Sequence, residues 1–247
     1  MMKKIKLALG FLTIIPIHGT DPYLPGDIGR AAGWFPWIGA LLGLIVAGVY
    51  YGLSQIFAPL LAAVLSLATW ITLTGGLHLD GLADSCDGLL NASNKERRLE
   101  IMKDPRLGPF GGIGLMLIIL LKFACLYSLP THSLWFALPL AAGLGRWLLL
   151  WAGKQPLARP SGLAVDFASG LNKKSFILGA MAVFFLAVLA GYAAGWRSLA
   201  AVAFVHLLAW LIFKIANSRL GGMTGDIFGF IVELSEAAAM LIFCFKL

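Results

Sequence analysis

The sequence predicts an all-α protein: a polytopic integral membrane helical bundle of about seven transmembrane helices, preceded by an N-terminal interfacial or re-entrant segment. Three observations support this. Hydrophobic residues make up 60% of the 247-residue chain, charged residues only 13%, and the mean hydropathy is +0.87, beyond what a soluble domain of this length carries. Apolar runs lie near residues 33–57, 59–76, 110–129, 134–152, 176–195, 198–216 and 227–245, each near the roughly 20 residues that a helix needs to cross hydrocarbon. The basic residues are also unevenly placed: of 19 Lys and Arg, 13 fall in segments 1–32, 77–109 and 153–175.

Taken in order, the chain opens with Met1-Met2-Lys3-Lys4 like a signal peptide. Its apolar stretch ends at Pro16 without a small-residue cleavage pattern, so it reads as a retained segment. The connections around 58, 130–133 and 196–197 carry only Arg197, and Lys246 lies at the C-terminal end. The positive-inside rule therefore puts the three basic segments, and a fourth flanked by Lys214 and Arg219, in the cytoplasm. All 12 acids lie in those segments or in the membrane near them, so the cytoplasmic side holds the plausible chemistry. No separate soluble domain fits, and residues 1–247 read as one membrane domain. Cys86, Cys125 and Cys244 are too few and too scattered for a disulfide framework or a zinc site. The net charge of +7 suits anionic membrane lipid. With no basic domain or aromatic-interleaved stripe, nucleic acid is not an expected partner.

Four constellations stand out. Asp80, Asp84 and Asp87 fall within eight positions just after an apolar run. Their offsets of zero, four and seven place them on one helical face roughly 60° wide. Carboxylates that close repel one another, and a divalent metal carrying phosphates is the leading counter-charge. His78 and the hinge glycines Gly75, Gly76, Gly81 and Gly88 accompany them; His78 reads equally as a cap, an interface residue or a base. The second constellation is the turn Lys103-Asp104-Pro105-Arg106, followed by Gly108, Gly111 and Gly112. It offers cations and free backbone amides to a phosphate, or is simply a charged re-entry loop. The third runs from Gly221-Gly222-Met223-Thr224-Gly225-Asp226 to Glu233 and Glu236, again acids on one helical face. The favoured expectation is a second acidic wall facing the first; the alternative is an ion pair with Arg146 or Lys122. The fourth comprises Arg146 within a span and Arg159 in a loop, both suited to phosphate oxygens. No Walker A loop, Rossmann glycine pattern or serine-nucleophile elbow is present.

The stretch Gly75-Gly-Leu-His-Leu-Asp-Gly-Leu-Ala-Asp-Ser-Cys-Asp-Gly88 closely resembles the cobalamin synthases, the adenosylcobinamide-GDP ribazoletransferases. Leu99-Glu-Ile-Met-Lys-Asp104 through Gly111, and Gly221-Gly-Met-Thr-Gly-Asp226 with Glu233, reinforce the likeness nearly end to end. Ile14 and Pro105 depart from it, standing where a basic residue and a serine are common.

The resemblance implies a multi-pass inner-membrane transferase using Mg²⁺, with its active face in the cytoplasm. It would join adenosylcobinamide-GDP to α-ribazole or its 5′-phosphate and release GMP. On that footing Asp80, Asp84 and Asp87 are expected as principal Mg²⁺ ligands, with Asp226 and Glu233 completing the shell. Asp104, Glu236 or His78 would handle the hydroxyl proton, and Lys103, Arg106, Arg146 and Arg159 would hold phosphate oxygens. The oligomeric state stays open, with a homo-oligomer and other nucleotide-loop assembly enzymes as candidate partners. The rival class is a transporter or channel carrying ions or protons on Glu233 and Glu236.

Overall fold

The computed structural model describes residues 1–16 and 23–245; Lys246 lies outside them. Among the described residues the regular elements are α1 (Met2–Leu12), α2 (Asp27–Ala31), a 3₁₀ turn (Ala32–Trp34), α3 (Phe35–Ser54), α4 (Pro59–Thr74), α5 (Leu77–Leu90) and α6 (Lys95–Ile101). They continue with α7 (Pro109–Ser128), α8 (Thr131–Ala152), α9 (Leu163–Gly170), α10 (Lys173–Ala194), α11 (Trp196–Leu220) and α12 (Gly225–Phe243). A lone parallel bridge, Leu157 to Met223, is the extended pairing among them.

Among the described residues, five helical stretches are long and apolar enough to cross a bilayer: Asp27–Ser54, Pro109–Ser128, Thr131–Ala152, Lys173–Ala194 and Trp196–Leu220. The α4–α5 pair makes a sixth if it counts as one broken span. The chain is a multi-pass helical membrane bundle with five or six such stretches, where the sequence suggested about seven. The seventh apolar run forms α12, which carries three acids, Asp226, Glu233 and Glu236, within its 19 residues.

The local signals are ordinary ones. Prolines open α3, α4 and α7, where a missing N–H is harmless. Gly75 and Gly76, with φ of +62° and +68°, end α4 and turn the chain by 90° into α5. They are the hinge the sequence suggested. Gly81 and Gly88 are not hinges: both lie inside α5 and serve close packing.

At the centre stands α8, buried around its circumference, with Leu138, Leu140, Leu144 and Leu148 shielded. It packs against α3, α10 and α12. Gly39 and Gly43 of α3 let that helix press onto the backbone of α8 at Ala142 and Leu138. The outer helices α7, α10 and α11 expose large apolar residues, among them Met116, Phe184 and Leu199, as a lipid-facing surface requires.

The contact that positions the site is between α5 and α12. A side chain on Gly81 would strike the Asp226 carbonyl, and one on Gly229 would strike the backbone of His78. The two helices therefore touch backbone to backbone. Gly229→Val should separate them and lower stability by about 1–3 kcal/mol, measured by thermal unfolding in detergent. An unchanged melting temperature would contradict the contact.

Candidate functional site

The loop Pro156–Arg159 meets the segment before α12 through two backbone hydrogen bonds. Met223 N–H donates to the Pro156 carbonyl at 2.7 Å, and Ala158 N–H to the Met223 carbonyl at 2.9 Å. Gly222 permits this approach, since a Cβ there would collide with Pro156 and Leu157. The Thr224 hydroxyl then caps α12, accepting from Ile227 N–H. Arg159 reaches Asp226 at 3.5 Å, and its guanidinium also donates to the Leu99 carbonyl.

With α5 crossing α12 at Gly81 and Gly229, these parts enclose a cavity of about 230 Å³. Asp80, Asp226, Arg159 and His78 line its polar end. The His78 Nε2 is itself buried and has no hydrogen-bond partner among the described residues. Asp84 stands one turn along α5, beyond the bend and outside the five spanning stretches. The carboxylates of Asp226, Asp80 and Asp87 are its charged neighbours, with Arg159 the opposing cation. The site thus holds more negative charge than its single nearby cation offsets. Among the described residues no three acid, His or Cys side chains form a ready-made metal cluster. The surplus of hard carboxylate oxygens is nonetheless the donor chemistry that suits Mg²⁺.

The remaining residues singled out in the sequence lie elsewhere. Asp87 faces α7: its carboxylate accepts from Gly108 N–H at 2.8 Å and Gly111 N–H at 2.9 Å. A buried anion thereby satisfies the free amides and positive end of that helix. Both glycines are required because a side chain on either would overlap the Asp87 carboxylate. The glycines after Arg106 therefore serve a carboxylate of this chain. Lys103 is exposed in the same loop. Asp104 and Arg106 pair with each other at 2.6 Å in solvent. Arg106 thereby holds the Asp104 carboxyl down at about 2.

Glu233 and Glu236 do not join the cavity. Lys122 of α7 binds Glu233 at 2.5 Å and also contacts Glu236, which in turn pairs with Arg146 of α8. All four side chains are buried, and Lys122 also lies 4.8 Å from the Trp70 ring centroid. The favoured expectation of a second acidic wall gives way to the alternative, an ion pair. Here it is a charge-balanced network of two cations and two anions joining α7, α8 and α12. Balance is what allows ionised groups at that depth.

Sequence reasoning did not find the cavity's aromatic side, formed by Phe11, Phe167 and Phe228. These residues come from three separated segments, and no local pattern joins them. It also did not find Asp166, which anchors the N-terminal loop by accepting from Gly26 N–H at 2.7 Å and from the Tyr23 hydroxyl.

Comparison with known proteins bears on what this cavity does. The family profile described as cobalamin-5-phosphate synthase matches residues 4–244. The chain belongs to that family. Adenosylcobinamide-GDP ribazoletransferase of Desulforamulus reducens is 37% identical, covering 96% of this chain and 94% of the relative. The proteins of the same name from Ectopseudomonas mendocina and Pseudomonas aeruginosa are each 39% identical, covering 96% and 97% of both chains respectively. No solved structure matches. Family membership places the cavity in a membrane-bound synthase of cobalamin assembly.

Two substitutions separate structural acids from the cavity acids. Glu236→Gln leaves Arg146 buried without its anion and should destabilise the protein by about 3–5 kcal/mol, read by thermal unfolding in detergent. A loss below 1 kcal/mol would mean that the network is solvated. Asp87→Ala removes the acceptor at the start of α7 and should cost about 1–2 kcal/mol in the same measurement. No loss would contradict the capping role.

Proposed function

We propose that this protein performs the last joining step of cobamide nucleotide-loop assembly. The reaction is adenosylcobinamide-GDP plus α-ribazole, or its 5′-phosphate, giving adenosylcobalamin, or its 5′-phosphate, and GMP. Support comes from the family and from the names of the relatives. The observation that carries the reading is the convergence of Asp80, Asp226 and Arg159 on one cavity, with Asp84 crowded behind them.

In this reading a ribose hydroxyl of the acceptor attacks the phosphorus attached to cobinamide. A new P–O bond forms, the bridging P–O bond breaks, and GMP departs with the electron pair. Arg159 holds phosphate oxygens as charge develops on them. Asp80, Asp84 and Asp226 hold Mg²⁺. When bound, it supplies Lewis-acid neutralisation of the pyrophosphate. Asp87 and Glu233 are left out of that set because their oxygens are already engaged by the α7 amides and by Lys122. His78 is the preferred acceptor of the hydroxyl proton. His78 contributes to the cavity lining, and its Nε2, itself buried, has no hydrogen-bond partner among the described residues, whereas Asp104 is paired in solvent and Glu236 is sealed in the network.

The same pairing of Glu233 and Glu236 weighs against an ion-conducting alternative, since both carboxylates are engaged by buried cations. It also supports α12 as a further span, because its intramembrane charges are neutralised; with the α4–α5 pair this makes seven crossings. The basic loops orient the cavity to the cytoplasmic side of the inner membrane.

The direct test is product analysis of purified protein supplied with adenosylcobinamide-GDP, α-ribazole and Mg²⁺. Coupled corrinoid and equimolar GMP are expected. Asp84→Asn and Asp226→Asn should each lower turnover by about 100-fold or more while keeping the wild-type melting profile. Near-normal activity of Asp84→Asn at limiting Mg²⁺ would overturn the metal assignment.

A further inference from the structure

The cavity has two ends of opposite chemistry. Beside the acids and Arg159 lies an apolar end walled by Phe11, Phe167 and Phe228. These rings belong to a continuous aromatic run. Phe11 stacks on Phe35 with centroids 5.5 Å apart, Phe35 on Phe167 at 5.8 Å, and Phe167 meets Phe228 edge to face at 5.6 Å. Phe35 and Phe167 are buried, so this run backs the cavity and leaves Phe11 and Phe228 as its partly exposed rings.

We infer that this cavity is the acceptor pocket. The apolar aromatic base of the nucleoside lies against Phe11 and Phe228, with Phe167 behind them, which turns its ribose toward Asp80 and Asp226. The inference rests on the proposed reaction and goes on to say which substrate enters which part of the site. Size excludes the corrin macrocycle, several times larger than a cavity of about 230 Å³, so that ring stays outside and extends only its pyrophosphate arm to the acids. Chemistry disfavours the donor's guanine there. That base carries donors and acceptors along its edge that the rings of Phe11, Phe167 and Phe228 cannot pair, although Ser161 and Thr224 also line the cavity. A benzimidazole has far less polar edge to satisfy. A pocket of this kind discriminates by what it fails to hydrogen-bond as well as by what it stacks.

Phe228 is the residue to vary, since Phe167 is almost wholly buried in the core. In wild-type protein, Phe228→Leu and Phe228→Ala, initial rates would be measured against α-ribazole at saturating adenosylcobinamide-GDP, and the reverse. Phe228→Ala should raise KM for α-ribazole at least tenfold and leave KM for the donor within twofold; Phe228→Leu should fall between. An increase confined to the donor KM, or no change in either, would overturn the assignment. Equilibrium dialysis of wild-type protein with α-ribazole alone supplies a readout that needs neither turnover nor a variant. Binding that GMP does not displace is expected. Absence of binding, or displacement by GMP, would refute the acceptor pocket. If wild-type protein binds α-ribazole this way yet forms no coupled product, the proposed reaction fails and the pocket assignment stands.

Discussion

Where α5 crosses α12, Gly81 and Gly229 leave no side chain between the two backbones. That crossing brings the first acidic stretch of the chain to the second, nearly 150 residues later. It also sets the other requirements around the site. The chain must turn sharply after α4 for α5 to reach α12, and two left-handed glycines make the turn. The N-terminus of α12 must be held level with the crossing, and the short pairing of Met223 with Pro156 and Ala158 does so while delivering Arg159.

The acids divide by what surrounds them. Asp80 and Asp226 line a cavity where Arg159 is the nearby cation. Asp87 is consumed by backbone amides. Glu233 and Glu236 are consumed by Lys122 and Arg146 deep in the bundle. A carboxylate in an apolar setting is tolerated only when such partners are supplied. The two kinds of acid are therefore told apart by their neighbours and by no property of their own. The buried network also holds α12 against α7 and α8, so it keeps the crossing with α5 in register.

Much of this architecture was legible in the sequence, for physical reasons. A helix long and apolar enough for a bilayer announces itself by composition, and an acid repeat of four and three residues announces a helical face. Hence the helical membrane class, the Asp80–Asp84 face and the Gly75-Gly76 hinge could be read directly. The partners could not. Periodicity says that Glu233 and Glu236 share a side of α12, and the choice between a polar wall and an ion pair depends on Lys122 and Arg146, far away in the chain. Asp87 continues the acid repeat and yet faces the next helix, because the glycines that looked like a phosphate loop are its own binding site. The aromatic wall had no local signature, being assembled from α1, α9 and α12.

The central claim is that side chains from α5 and α12 jointly hold one divalent ion at the cavity. Electron paramagnetic resonance of Mn²⁺ added to the purified protein tests this most directly, comparing wild type with Asp80→Asn and Asp226→Asn. The account predicts one bound Mn²⁺ per wild-type chain, displaced by excess Mg²⁺ and weakened at least tenfold by either substitution. Wild-type Mn²⁺ affinity in either variant would contradict a site shared between the two helices.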